Sequence, residues 1–451
     1  MPLRSDGTRV RVDAVMQPVI DKRAAFIIDT LRRHGHRALV VGGSLRDSLI
    51  RRVPSDLDIV TDAPESEMFR MFEKERIKKV GRQFSLFLVN EVEVACCRGR
   101  EYGRFPLNDL GMRDFTINSM AFDPATGEWI DPFSGREDLA QGVVRFVKNP
   151  EKRILEDPLR IVRACRFASS LNGSIEPASF DAICRHTYLL KENVAGERIR
   201  EEILKAMCTV RPSVFFEYLY RAGGLGFVLP CLYRCYKLDG GPHHAETVFD
   251  HCMLTGDAVI PKYPLLRLAA FLHDTGKYDA AAPGENGITF AGHERELDPV
   301  YADLKRLSFS NRHIDYLLSV IRVHMRPLTE DTSEKAVRRI LTFLEARNVS
   351  YRDFMRIRIA DKKGNLAKKP YTLHDIRVRF AKLKKASESA EEGFGLKSLA
   401  IGGEDVMRIL DIPEGPGVGE ALGFLLDKVV DEPSLNTEAR LEKLLIERFT
   451  N

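Results

Sequence analysis

Residues 40–61, VVGGSLRDSLIRRVPSDLDIVT, constrain this chain more than any other stretch. A β-branched apolar run ends in Gly42-Gly43, a short amphipathic segment carries Arg46 and Asp47, and a second strand-like run opens at Asp56-Leu57-Asp58. The order predicts strand, glycine turn, short helix, strand. Two glycines after a strand let the backbone approach a ligand closely and open a helix. Free N–H groups at such a start suit phosphate oxygens, and the helix dipole adds to the attraction. Gly43 is therefore a candidate phosphate contact and Arg46 a candidate bidentate clamp.

Alternate residues of a strand share one side, so Asp56 and Asp58 present two carboxylates together. Two acids so close call for a cation between them. Hard oxygen donors favour Mg²⁺, which typically binds substrate phosphates as well. A phosphate grip beside paired acids predicts metal-assisted phosphoryl or nucleotidyl transfer. Gly-Gly alone is weak and D-x-D alone is common on solvated strand edges. Their union in one short unit favours the functional reading.

Residues 11–36 predict a helix leading into the strand Ala38–Val41, and residues 63–75 predict another. Residues 84–89 and 91–96 alternate like a hairpin around Asn90-Glu91. Residues 98–110 form a charged, glycine-containing loop, and Arg113 follows, placed either to meet a phosphate or to pair with Asp114. From Pro150 onward the pattern turns helical. Residues 156–166 start a helix with Asp157 near the cap and Pro158 in the first turn. Asp157, Arg160, Arg163 and Arg166 step by three and so form one polar stripe. Such a stripe is either a solvated face or a set of donors and acceptors for a base edge and a phosphate.

The runs GGSLRD (42–47), DLD (56–58), MRDFTINSMA (112–121) and EDPLR (156–160) resemble, in this order, those of the bacterial class II tRNA nucleotidyltransferases. That superfamily contains CCA-adding, CC-adding and A-adding enzymes and bacterial poly(A) polymerases. The resemblance implies α/β followed by all-α architecture. A small N-terminal nucleotidyltransferase head with a mixed or antiparallel, polymerase β-like sheet covers residues 1–145. A helical neck follows over 146–235, then an HD-type helical domain over 236–386 and a helical tail over 387–451. It also implies that Asp56 and Asp58 hold Mg²⁺, and that Gly43, Arg46 and Arg113 contact the triphosphate. Asp157 and Arg160 would pair with the incoming base as a protein template, while Arg163 and Arg166 bind the nucleotide. Glu93, on the hairpin, is equally a third acid or a solvent-facing strand residue.

His251, His273-Asp274 and Asp361, with His293 and His324 between them, resemble an HD domain, a helical metal phosphohydrolase module. Imidazole and carboxylate ligands together suit a transition metal better than Mg²⁺. Taken singly, each of these histidines is more often a core or surface residue than a ligand. The resemblance implies tRNA, CTP and ATP as partners. Within the family a short loop before the Arg-Asp motif, with Met112 where relatives carry a first arginine, goes with CC addition. The alternatives are full CCA addition, poly(A) synthesis, or an HD phosphohydrolase with an RNA-binding head.

Composition sets the outer bounds. At 451 residues the length prior favours more than one domain. No apolar run approaches a membrane span, and the first residues lack the apolar core of a secretory signal. The 8 cysteines contain no C-x-x-C pair, as expected of reduced thiols in a cytoplasm. Net charge is only +4, so RNA would be held by local patches. One such patch is the Lys- and Arg-rich run 356–385; a solvated helix face is its ordinary reading. The glycine-rich starts at Gly402-Gly403 and Gly415-Pro416-Gly417 are either RNA phosphate contacts or plain turns. Oligomeric state is not legible.

Overall fold

A computed structural model describes residues 17–52, 57–80, 85–96, 105–285, 287–388 and 395–450. Asp56 and most of the loop after Cys96 lie outside them. The chain divides into two compact units, Met1–Val228 and Leu229–Asn451.

The first unit is built on a mixed sheet. Its strands are β1 (Ala38–Val41), β2 (Asp58–Thr61), β3 (Ile77–Val80), β4 (Leu86–Val89), β5 (Val92–Cys96), β6 (Ala121–Asp123) and β7 (Glu128–Ile130). They lie in the order β3-β4-β5-β2-β1-β6-β7. Only β2 and β5 pair in parallel; the other neighbours are antiparallel. Strand β1, flanked on both sides, is buried along its whole length, which is why it reads as an unbroken apolar run. β4 and β5 form the expected hairpin, turning through Asn90 (φ 47°) and Glu91 (φ 70°), a pair of positive φ values suited to the sheet's twist.

The remainder of this unit is mainly helical, with one short parallel pair of strands, Val143–Val144 and Ser174–Ile175. Helix Pro150–Glu156 is capped by Asn149, whose side chain accepts from the Lys152 N–H at 3.0 Å. Asp157 then breaks out in an extended conformation (φ −155°, ψ 98°), and helix Leu159–Leu171 begins after Pro158. Asp157 therefore sits in the joint between two helices and not on the stripe that the spacing predicts. Arg160, Arg163 and Arg166 do share helix Leu159–Leu171. The predicted N-terminal helix is observed over Lys22–Arg33, capped by Asp21, and that of residues 63–75 over Glu65–Met71.

In the second unit, helices Val248–Ala258, Pro264–Leu272, Asn311–Val323 and Tyr351–Gly364 pack together. Toward the C-terminus, helices Gly403–Leu410, Pro416–Asp431 and Glu438–Phe449 share a small core around Val406, Ala421, Leu425 and Leu441. Gly402 donates its N–H to Asp405 at 2.9 Å, so this helix start is internally capped. Among the described residues no helix is long and apolar enough to cross a membrane.

Candidate functional site

The head site forms where β1 ends. Val41 stands opposite Asp58 on one side, and Asp58 stands opposite Glu93 on parallel β5. In-register partners on neighbouring strands point to the same face of the sheet. Asp58 and Glu93 thus present their side chains side by side, and Glu93 is exposed. Gly42 follows with φ 80° and ψ −137°, a conformation only glycine adopts without strain. A Cβ at Gly42 would lie 2.7 Å from Arg113 Nη1 and 3.3 Å from Asp58 Oδ2. A carboxylate and a guanidinium thus crowd the bare Cα at the mouth of helix Gly43–Leu49.

A relay of polar contacts fixes this arrangement. Arg113 does not pair with Asp114; its Nε donates to buried Asp109 at 3.0 Å and Nη1 to the Asn118 carbonyl at 3.4 Å. Arg46 donates to Asp47 at 2.9 Å and to Asn118 Oδ1 at 2.5 Å, and its guanidinium lies over the Phe167 ring. Asn118 in turn donates to Asp114 at 2.9 Å. Asp114 accepts from Arg163 Nε and Nη2 at 2.9 and 2.7 Å. Glu202, 2% exposed, closes the relay by accepting from Arg163 at 3.4 Å and from Arg166. Burial opposes an ionised Asp114. The Arg163 charge, with hydrogen bonds from Asn118, Arg163 and the Phe115 N–H, holds its pKa below the usual carboxylate range. Burial likewise opposes the Arg163 charge, but Asp114 and Glu202 keep its pKa raised.

Asp157 accepts both Nη atoms of Arg198, at 3.1 and 2.8 Å. Arg160 donates to the Arg153 carbonyl at 2.9 Å, to Glu156 at 3.0 Å and to the Met112 carbonyl at 3.4 Å. Neither side chain bonds to the other. The sequence reading missed Asp109, Asn118 and Glu202. Glu202 did leave a signal, since it falls at helical spacing among Ile199, Ile203 and Ala206 and so had to be a buried charge in need of partners.

A second polar cluster lies in the other unit. The four predicted residues converge. His251 Nε2 is 3.2 Å from Asp361 Oδ1 and 3.2 Å from His273 Nε2, and Asp274 Oδ2 is 3.6 and 3.5 Å from the same two ring nitrogens. His293 and His324 join them through Asp274 Oδ1, at 3.0 and 3.4 Å. The sequence reading missed Lys277, 2.7 Å from Asp274 Oδ2, and Glu246, which accepts from His244 at 2.8 Å. Glu246 also lies 3.1 Å from His251 Nδ1, in an alignment too poor for a hydrogen bond. Burial disfavours a charged His251, yet hydrogen bonding to Asp361 and the neighbouring Glu246 and Asp274 raise its pKa to about 9. Burial lowers that of His273 to about 3.

The same unit carries a cleft of about 1460 Å³ lined by Lys262, Arg312, Arg322, Arg347, Arg352 and Arg356, relieved by Asp315 and Asp353. Arg326 and Arg347 both lie over the Phe343 ring, at 3.7 and 3.6 Å. Burial, then the charges of Arg326 and Arg322, pull the Arg347 pKa down, a mark of crowded cations. In the predicted basic run, Lys382 donates to the Thr332 carbonyl at 3.0 Å and Lys385 pairs with Glu334 at 3.0 Å, so part of it is spent internally.

Comparison with known proteins fits this geometry. A family model described as the poly A polymerase head domain matches residues 38–145, and one described as a probable RNA and SrmB-binding site of polymerase A matches residues 174–235. The chain is 37% identical over 211 residues to the CC-adding tRNA nucleotidyltransferase of Halalkalibacterium halodurans, covering 46% of this chain and 54% of that one. It thus spans about half the length of that relative. It is 33% identical over 320 residues to the multifunctional CCA protein of Stenotrophomonas maltophilia, covering 63% of this chain and 75% of the relative. The CCA-adding enzyme of Bacillus stearothermophilus, solved in complex with CTP, shares its fold with a TM-score of 0.71 at 24% identity over 95% of this chain and 97% of that one.

Proposed function

The chain belongs to the tRNA nucleotidyltransferase and poly(A) polymerase family, and from that premise we propose that it is an enzyme that adds cytidylate to the 3′ end of tRNA. CTP is the donor, pyrophosphate leaves, and no nucleic-acid template is needed. The observation that carries this reading is the convergence of Asp58 and Arg113 on Gly42, backed by the relay that ends at Glu202. We assign residues 1–145 to a catalytic head, 146–235 to a neck, 236–386 to an HD-type domain and 387–451 to an RNA-binding tail, and place the protein in the cytoplasm, where its substrate is.

Asp58, at the start of β2, fits Mg²⁺ because its donors are hard carboxylate oxygens, and we propose that Asp56 joins it. When bound, the ion polarises the α-phosphate and the attacking 3′-hydroxyl. Glu93, in register with Asp58, is placed to act as a third carboxylate. Arg113 faces the same spot and would neutralise the triphosphate. Helix Gly43–Leu49 would offer Gly43 N–H to a phosphate oxygen, with Arg46 beside it. As the 3′-oxygen bonds to the α-phosphorus and the α–β bridge breaks, charge moves to the departing pyrophosphate, where prepositioned guanidinium groups stabilise it. Arg163 and Arg166 are held for that task by Asp114 and Glu202. Asp157 would accept from the exocyclic amine of cytosine while Arg160 donates to its ring acceptors. Adenine offers a similar amine–acceptor edge, so this pair alone selects amino bases and not C over A.

Restriction to C is supported by the connection between β5 and helix Leu107–Leu110, which is confined to residues 97–106. The test is a tRNA transcript lacking its end, incubated with CTP and ATP separately and then sequenced. Two added C residues and no A are expected. Efficient A addition to a CC-ended tRNA would make it a full CCA-adding enzyme, and long A tails on unstructured RNA a poly(A) polymerase. Gly42→Ala is expected to lower kcat/KM for CTP at least about tenfold through backbone strain and displacement of Arg113. Gly43→Ala, whose Cβ would meet Arg46 no closer than 3.5 Å, is expected to lose far less.

The arginine cleft suits an RNA phosphate backbone. Arg322→Ala with Arg347→Ala is expected to raise KM for tRNA, leave KM for CTP unchanged, and flatten the salt dependence of tRNA binding by about two units of log–log slope. An unchanged slope would remove the cleft from the RNA path.

A second reading is favoured by the histidine cluster. We propose that His251, His273, Asp274 and Asp361 hold a transition metal. Their mixed nitrogen and oxygen donors fit one, and ring nitrogens 3.2 Å apart are spaced as neighbouring ligands. Such an ion polarises a phosphate ester toward attack by water. Asp58→Ala should abolish incorporation and spare any phosphodiesterase activity; parallel loss of both would argue against a separate centre.

A further inference from the structure

Phe167 lies one turn beyond Arg163 on helix Leu159–Leu171, so the helical spacing turns the two to one side. By burial alone it is a core residue, 3% exposed, in T-shaped contact with Phe115 at 5.5 Å between ring centroids. Its polar neighbours set it apart. Three guanidinium groups lie over this one ring: Arg166 at 3.9 Å from its centroid, Arg46 at 4.8 Å and Arg163 at 5.6 Å. Arg46 comes from helix Gly43–Leu49 and the other two from helix Leu159–Leu171, so the ring is where the cations of head and neck meet. All three side chains are partly buried, and a cation over an aromatic face gains most where water is excluded. Cations this close repel. Burial and the charges of Arg163 and Arg46 lower the Arg166 pKa, against the pull of Glu202. The acids meet the guanidinium groups only along their N–H edges. Asp47 accepts from Arg46, and Asp114 from Arg163. Arg166 gives its Nε to Glu202, and its two Nη groups have no acceptor among the described residues. The flat faces remain, and a π-system is what fills them.

We propose that Phe167 is a positioning residue of the nucleotide site, its ring gathering Arg46, Arg163 and Arg166 by their faces and leaving the Nη groups of Arg166 to a phosphate. This rests on the reading that these arginines bind the nucleotide. The ligand class the array meets is a polyphosphate, free pyrophosphate included. The base edge is assigned to Asp157 and Arg160, which bond to Arg198 and Glu156 and not to this set. Loss of the ring therefore weakens the grip on the phosphates and leaves the choice of base intact.

The experiment uses the full chain with mono-, di- and trifluorophenylalanine placed at position 167 by nonsense suppression. Fluorine draws charge off the ring face and changes its shape little, so packing alone gives no gradient along the series. Kd is measured by titration calorimetry for CTP, UTP and inorganic pyrophosphate, each with Mg²⁺. Binding of CTP and pyrophosphate is expected to weaken with every fluorine, reaching about tenfold with three. The ratio of Kd values for CTP and UTP is expected to stay that of wild type. Equal Kd values along the series overturn the proposal, and a changed ratio overturns the assignment of the ring to the phosphates. Arg46→Met and Arg166→Met form the second arm, and each is expected to weaken pyrophosphate binding. If neither does, the reading of the arginines falls and the proposal with it. If they do while the fluorinated series stays flat, the ring alone falls. Phe167→Leu is expected to lose about as much as the trifluorinated chain; should it fail to fold, the fluorinated series decides alone.

Discussion

Asp58→Asn is expected to lower kcat for CTP incorporation by about 10³-fold or more while the protein stays folded. The side chain is only partly buried at the start of β2, so a neutral isostere fits the same space. What it removes is charge. A metal-holding carboxylate supports transition-state stabilisation of several kcal/mol, and each 1.4 kcal/mol is about a factor of ten in rate. The register of Asp58 against Glu93 adds a graded control. Glu93→Gln is expected to slow the reaction less, since its strand position is more exposed and its place in the set more peripheral. The measurement is single-turnover CMP transfer at saturating Mg²⁺ and CTP, with far-ultraviolet circular dichroism as the folding check. An Asp58→Asn protein within tenfold of wild type would move the cation away from β2.

How much of this was legible beforehand varies with the range of the interaction. The β1–glycine–helix–β2 unit is local, and its residues alone predict it. The hairpin at Asn90-Glu91 is local too. β3 was not foreseen, because its IKKV run is an edge strand with three exposed residues and shows no alternation; lysines on an edge guard against further pairing and erase the pattern. A spacing of three puts Asp157 on the arginine stripe. Pro158 instead separates it from helix Leu159–Leu171, since the residue before a proline avoids the helical region. The relay behind the site was illegible for another reason. Arg163 and Glu202 lie far apart in sequence, and nothing local says which acid a given arginine will find. The histidine ligands were recognisable as types, yet their division between the two oxygens of Asp274 required the packing of several helices. The Arg113–Asp114 pair, a natural reading of adjacent opposite charges, gave way to Asp109, one helical turn earlier and buried beneath it.

Glu202→Ala should be the most damaging change outside the reacting groups. Its carboxylate is buried and accepts from both Arg163 and Arg166, which are themselves largely enclosed. Removing the acid leaves two half-buried guanidinium groups without their shared counter-charge. Breaking a buried ion pair by deleting one partner costs about 3–5 kcal/mol. Asp114 keeps Arg163 partly compensated, so the lower half of that range is expected. Burial already lowers the pKa of Arg166, with Glu202 the main opposing charge, so Arg166 will swing toward solvent. The chain's one tryptophan, Trp129 on β7, reports unfolding of the same unit. Urea titration followed by its fluorescence should show the midpoint falling. KM for CTP should rise, because Arg163 and Arg166 no longer hold their places, while Mg²⁺ dependence stays that of wild type. Glu202→Gln retains the acceptor oxygen and should recover part of both losses. If Glu202→Ala leaves the fluorescence midpoint and KM unmoved, the guanidinium groups are positioned by something other than this carboxylate, and the relay from Gly42 to the neck has no function.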